Sequence, residues 1–110
     1  MRQLVWTESA KADLDSIVEY IAAESPQGAE IVLARLLSTV ENMVRHHYGR
    51  KGRVIETFEV VVPRTRYIIA YRIGVTPNSV ERAEVLHIIH GSREWPEGEW
   101  PTTSNNPTVG

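Results

Sequence analysis

The sequence predicts an α+β fold of the order β-α-α-β-β-β, an antiparallel sheet meander packed against an N-terminal helical hairpin. Three observations carry this. Apolar residues recur at helical spacing from Ala10 to Val44, broken once at Ser25-Pro26. From residue 57 onward, three runs rich in β-branched and aromatic residues follow one another. Turn-forming residues, Pro63-Arg64-Thr65 and Pro77-Asn78, separate those runs by connections too short for a crossover.

The elements follow in chain order. Leu4-Val5-Trp6 is apolar and β-prone, so a first strand is expected near residues 2–6. Thr7 can cap the next helix, and Glu8 suits the positive end of its dipole. Ala10, Leu14, Ile17, Val18 and Ile21 then form one apolar stripe, with Lys11, Asp15, Ser16 and Glu19 facing away. Ser25-Pro26 ends this helix, because proline disfavours a helical residue before it, and opens the next with Ser25 as cap. The second helix is expected from Pro26 to about Arg45, with Ala29, Val32, Leu33, Leu36, Leu37, Val40, Met43 and Val44 on its apolar side. Two helices joined this tightly pack antiparallel. Residues 46–53, His-His-Tyr-Gly-Arg-Lys-Gly-Arg, break both periodicities and read as a loop with glycine turns. Strands are expected over residues 57–62, 67–73 and 83–90.

A chain of 110 residues is one domain with a modest core. The ordered domain is expected over residues 1–96, with a flexible tail at 97–110 rich in Pro, Thr, Ser and Asn. The absence of cysteine excludes disulfide scaffolds, thiolate metal sites and cysteine nucleophiles, and is compatible with a cytoplasmic protein. No apolar run reaches the roughly 20 residues needed to span a bilayer, so no membrane association is expected. Nor does the first stretch hold the apolar core of a signal peptide.

The net charge of −2 conceals a segregation. Residues 1–44 hold three bases against seven acids, residues 45–93 nine bases against four acids, and residues 94–110 three acids and no base. The basic middle suggests an anionic partner. Arg50, Lys51, Arg53, Arg64 and Arg93 are its candidate target-binding cations, with Trp95 beside them either as a contact or as a lid on the core's edge. Glu94-Trp95-Pro96 recurs as Glu99-Trp100-Pro101, but two copies make no repeat architecture.

Chemistry-bearing patterns are sparse. His46 and His47 are adjacent in the loop, and His87 and His90 are three apart on a strand, hence on opposite faces. No His-Glu-x-x-His pattern is present, so neither a metal nor a cofactor is expected. Ser92 lacks the glycine–serine–glycine elbow of hydrolases, and residues 49–53 lack the spacing of a phosphate-binding loop. His90 and Arg93 have two readings. A histidine at a strand end suits proton transfer near neutral pH. Alternatively, its ring nitrogens bond backbone and fix the turn that follows.

Taken together, Leu4-Val5-Trp6-Thr7, Ala12-Asp13-Leu14 with Ile17 and Tyr20-Ile21, the Gly49-Arg50-x-Gly52-Arg53 turn, Tyr67-Ile68-Ile69-Ala70-Tyr71-Arg72, and residues 85–96 from Val85 to Pro96 resemble RelE/ParE-family toxins over about residues 4–96. One departure is His46-His47-Tyr48, where relatives usually carry a proline. The resemblance implies a bacterial type II toxin, associated with growth inhibition and plasmid stabilization, and silenced in a hetero-oligomer by a cognate antitoxin. Apolar positions Ile17, Ile21, Leu33 and Leu37 are the candidate antitoxin contacts, since a small sheet need not cover them all.

Members of that family divide into two activities, ribosome-dependent mRNA endonucleases (RelE-like) and non-enzymatic poisons of DNA gyrase (ParE-like). The nuclease pattern asks for two basic residues, two apart, on the strand after the loop, and an arginine three residues before the tyrosine of the next strand. Register on Tyr71 places Glu59 and Val61 at the first two positions and Ile68 at the third. RNA cleavage builds negative charge on the phosphate, which nearby cations must stabilise, and these three residues supply none. His90 and Arg93 remain as candidate catalytic residues, with Glu56 as base and Arg66 as substitute cation in a glutamate–histidine variant. The sequence therefore favours the gyrase-binding, non-enzymatic branch, with the ribosome and mRNA as the alternative target.

Overall fold

The computed structural model describes residues 2–46 and 49–92. It orders β1 (Gln3–Trp6), α1 (Glu8–Ala22), α2 (Pro26–His46), β2 (Arg50–Lys51), β3 (Phe58–Val61), β4 (Tyr67–Val75) and β5 (Glu81–His90). The five strands form one sheet in the order β1-β5-β4-β3-β2. The helix boundaries follow local chemistry. Thr7 Oγ1 accepts from the Ala10 amide at 3.1 Å and caps α1. Ser25 Oγ accepts from the Gly28 amide at 2.9 Å, with Pro26 at the first position of α2.

Three features depart from the expected meander. First, β1 lies parallel to β5, pairing Gln3 with Arg82 through Trp6 with Val85, so the sheet is mixed. Second, Arg50–Lys51, expected within a loop, is a two-residue strand paired with Glu59 and Phe58 of β3. Third, β5 bulges opposite Ala70/Tyr71: Ala70 faces His87 and Tyr71 faces Val85, leaving Leu86 without a partner. The bulge shifts the alternation by one, so that Ala83, Val85 and Ile88 all join the core despite their uneven spacing.

The core lies between the helical hairpin and one sheet face. Ala10 and Ile17 of α1 and Leu36, Val40 and Met43 of α2 pack on Val60, Ile69, Tyr71, Val85 and Ile88. Ile17 is 0% exposed. This corrects its expected place on an antitoxin-binding surface: Ile17 is packed in the core that the hairpin shares with the sheet. β1 stops at Trp6, and beyond it the free edge of β5 is satisfied by α1. Asp13 Oδ2 accepts from the Ile88 amide and contacts His87 Nδ1, both at 3.0 Å. Thr7 closes the bulge by donating its hydroxyl to the Val85 and Leu86 carbonyls at 2.8 and 3.2 Å.

Candidate functional site

The basic turn is built on two glycines and one buried carboxylate. The Gly49 amide donates to the Tyr71 hydroxyl at 2.8 Å. A Cβ at residue 49 would run into that hydroxyl, so the close approach requires glycine. The Gly52 amide donates to the Thr57 carbonyl at 2.8 Å, closing the turn, and Thr57 Oγ1 in turn donates to the Val54 carbonyl at 2.6 Å. Beneath the turn sits Glu59, only 2% exposed. Its Oε2 accepts from the Arg53 amide at 2.7 Å, and its Oε1 lies 3.6 Å from Arg50 Nη2. The turn thus carries Arg50, Lys51 and Arg53, all exposed, and Ile55, which is 86% exposed.

Glu59 therefore does not stand open to a bound phosphate. It is spent holding the basic turn from below. Val61 and Ile68, the other two positions of the nuclease pattern, are direct cross-strand partners. The three positions hold one buried acid and two aliphatic side chains, and no cation.

His90 is buried, on the opposite face from His87. Its Nδ1 accepts from the Ser92 amide at 3.2 Å and lies 2.6 Å from Ser92 Oγ, and its ring meets Tyr67 edge-on at 5.2 Å. That geometry is the turn-fixing role. Glu56, with a left-handed φ of 63°, is exposed and lines a cleft of about 290 Å³ with Thr7, Ser9, Arg72 and His87. The proposed Glu56–His90 acid–base pair is thus corrected: Glu56 shares a cleft with His87, not His90. In that cleft Arg72 is committed to Glu84 through two bonds, at 2.8 and 2.5 Å, and His87 to Asp13. Arg66 is exposed, and its carbonyl accepts from the Gly91 amide at 2.6 Å. Arg64 is exposed in the β3–β4 turn, at the far end of β3 from the basic loop. Arg93 and Trp95 lie outside the described residues.

Of the expected antitoxin contacts, Ile21 is partly buried against the core and Leu33 is half-buried. Leu37 is 45% exposed and lines an apolar groove of about 420 Å³ with Leu4, Trp6 and Val44. The groove runs between α2 and β1, a strand at the end of the sheet order. Sequence reasoning missed Leu4 and Trp6 here because they belong to a strand whose neighbours are set by long-range pairing. Ile55 was missed because one isoleucine in a polar turn carries no periodic signal.

Comparison with known proteins agrees with this architecture. The family profile described as ParE toxin of the type II toxin–antitoxin system parDE matches residues 4–95. The chain is 33% identical over 97 residues to Y4kP of Sinorhizobium fredii, a candidate toxin, covering 87% of this chain and 95% of that one. It is 34% identical over 75 residues to toxin RelE2 of Caulobacter vibrioides, covering 67% and 83% respectively. Among solved structures, the chromosomal ParDE toxin–antitoxin system of P. aeruginosa superposes with a TM-score of 0.68 at 23% identity, covering 80% of this chain and 94% of that chain. No helix among the described residues is long and apolar enough to cross a membrane. The strand order, the glycine-built basic turn and the profile match converge: the chain belongs to the ParE toxin family of type II toxin–antitoxin systems.

Proposed function

We propose that this toxin acts without covalent chemistry, by binding DNA gyrase, and that a cognate antitoxin silences it. The observation that carries the non-enzymatic reading is the site at Glu59, Val61 and Ile68. A phosphate undergoing cleavage there would meet a buried carboxylate already engaged by Arg50 and Arg53, and two hydrocarbon side chains. His90, the remaining proton donor, is packed against Tyr67 and bonded to Ser92. What the surface does offer is a recognition element: three exposed cations and an exposed isoleucine on one turn fixed from beneath. In this reading Arg50, Lys51, Arg53 and Ile55 contact the target.

The antitoxin reading rests on the groove of Leu4, Trp6, Leu37 and Val44, whose apolar lining and adjoining sheet-edge strand suit an extended or helical protein segment. Ribosome-dependent mRNA cleavage is the second reading. It is favoured by the likeness to a protein named RelE2 and by the cleft that joins Glu56, Arg72 and His87. The full chain, made in a cell-free system, separates the two when added to a gyrase supercoiling reaction and to a translation reaction with labelled mRNA. Inhibited supercoiling with intact mRNA supports the proposal. Codon-positioned mRNA cuts with normal supercoiling reject it.

A further inference from the structure

A second cationic site lies between α2 and the β3–β4 turn, at the opposite end of β3 from the basic loop. A cleft of about 440 Å³ there is lined by Arg35, Ser38 and Asn42 of α2 and by Pro63 and Arg64 of the turn. Arg35 Nη1 reaches the Arg64 carbonyl at 3.4 Å, which brings the two arginines to one place. No acidic residue lines the cleft. Arg2, Arg45, Arg50, Arg72 and Arg82 each pair with a glutamate. Among the described residues, neither Arg35 nor Arg64 pairs with any carboxylate. Two arginines lining one cleft without a carboxylate leave its positive charge unbalanced, and an oxyanion bound there would offset it.

The backbone supplies an independent observation. The turn closes with the Thr65 amide donating to the Val62 carbonyl at 3.2 Å, and Pro63 holds its second position. Arg64 follows at the third with φ of 62°. A turn with proline second and a left-handed third residue ordinarily takes glycine or asparagine there, because a side chain adds steric strain. Arg64 keeps a charged side chain on this strained backbone, at a turn that also lines the cleft, and that points to a role for the side chain in binding.

We propose that this cleft binds a phosphate group, either a nucleic-acid backbone phosphodiester or a free phosphate. The donors come from a helix face and a turn rather than from one plane. Two guanidinium forks, the Ser38 hydroxyl and the Asn42 amide suit a tetrahedral oxyanion, which accepts from several directions, better than a planar carboxylate. The site does not depend on gyrase being the toxin's target, so it stands or falls apart from that reading.

The test uses the full chain, with fluorescence anisotropy on a short labelled DNA duplex at several salt concentrations, inorganic phosphate as competitor and a polyglutamate peptide as the carboxylate control. The variants are Arg35→Ala, Arg64→Ala and Arg64→Gly, with Arg45→Ala as a control arginine outside the cleft. Duplex binding that weakens about fivefold or more in each cleft variant, with a salt slope lowered by about one and no such change in Arg45→Ala, supports a backbone ligand. Phosphate binding measured by calorimetry, lost in the same variants while the duplex shows no cleft dependence, supports a free phosphate. Arg64→Gly is expected to melt at or above the wild-type temperature while losing the ligand, which separates binding from folding. Wild-type affinity for both ligands in all the cleft variants overturns the proposal. So does cleft-dependent binding of polyglutamate that phosphate does not displace, or an Arg64→Gly protein that keeps full binding.

Discussion

Two buried residues of this toxin show how burial decides what a side chain is for. Glu59 faces a buried position because the turn it holds folds back over it, and its oxygens serve Arg50 and the Arg53 amide. Glu59→Ala leaves that amide without its acceptor, and a destabilisation of about 1–3 kcal/mol is expected in urea unfolding. Hydrogen exchange at Arg53 should quicken by more than at the amides of β4. Tyr67 behaves differently. Burial, with a further push from Tyr20, raises its pKa above the ordinary 10.0. The folded state therefore holds the phenol proton more tightly than the unfolded chain. This contribution is complete below pH 10 and is lost as pH rises through 10 toward the raised native value. Melting temperature should fall over that alkaline range, and less steeply in Tyr67→Phe. The residue types at these sites were legible in the sequence, and their roles were not. Glu59 was legible as an acid in a nuclease's cationic position, but only the pairing of β2 with β3 shows that it faces the turn.

At the level of elements, the helices were the most legible part. Their signals are local: a capping threonine, a serine–proline break and an apolar stripe repeating every three to four residues. The sheet was legible as three successive strands, but its two irregularities were not. Parallel pairing of β1 with β5 joins residues some eighty positions apart, and no local pattern announces it. The bulge at Leu86 breaks the two-residue alternation on which strand faces are read, which hid the shared burial of Ala83, Val85 and Ile88. The same limit misassigned Ile17. A helical stripe shows which residues share a face, not whether that face meets the chain's own sheet or a partner. Ile17→Ala is therefore expected to destabilise the fold by about 2–4 kcal/mol in chemical unfolding, as for other large-to-small core changes. Leu37→Asp, on the open groove, should change stability by less than about 1 kcal/mol and weaken antitoxin binding at least tenfold in a calorimetric titration.

Across the whole molecule, charge and apolar surface are sorted to different places. The acidic N-terminal portion forms the hairpin, and its α2, with β1, makes the apolar groove. The basic middle forms the turns at the two ends of β3, each carrying cations outward. In the proposed reading, an antitoxin holds one part of this surface while another meets the target. This division was visible in the sequence as a charge asymmetry, though not its arrangement in space, which comes from the sheet register. In the proposed reading, recognition by the Arg50, Lys51, Arg53 and Ile55 turn, and not bond cleavage, makes the protein toxic. The most direct measurement is gyrase supercoiling activity titrated with the full chain and with a variant in which Arg50, Lys51 and Arg53 are all alanine. Wild-type protein is expected to inhibit in a dose-dependent way, and the triple variant to require at least tenfold more protein for the same effect. Supercoiling untouched by either protein, while wild type cuts ribosome-bound mRNA, would contradict the claim.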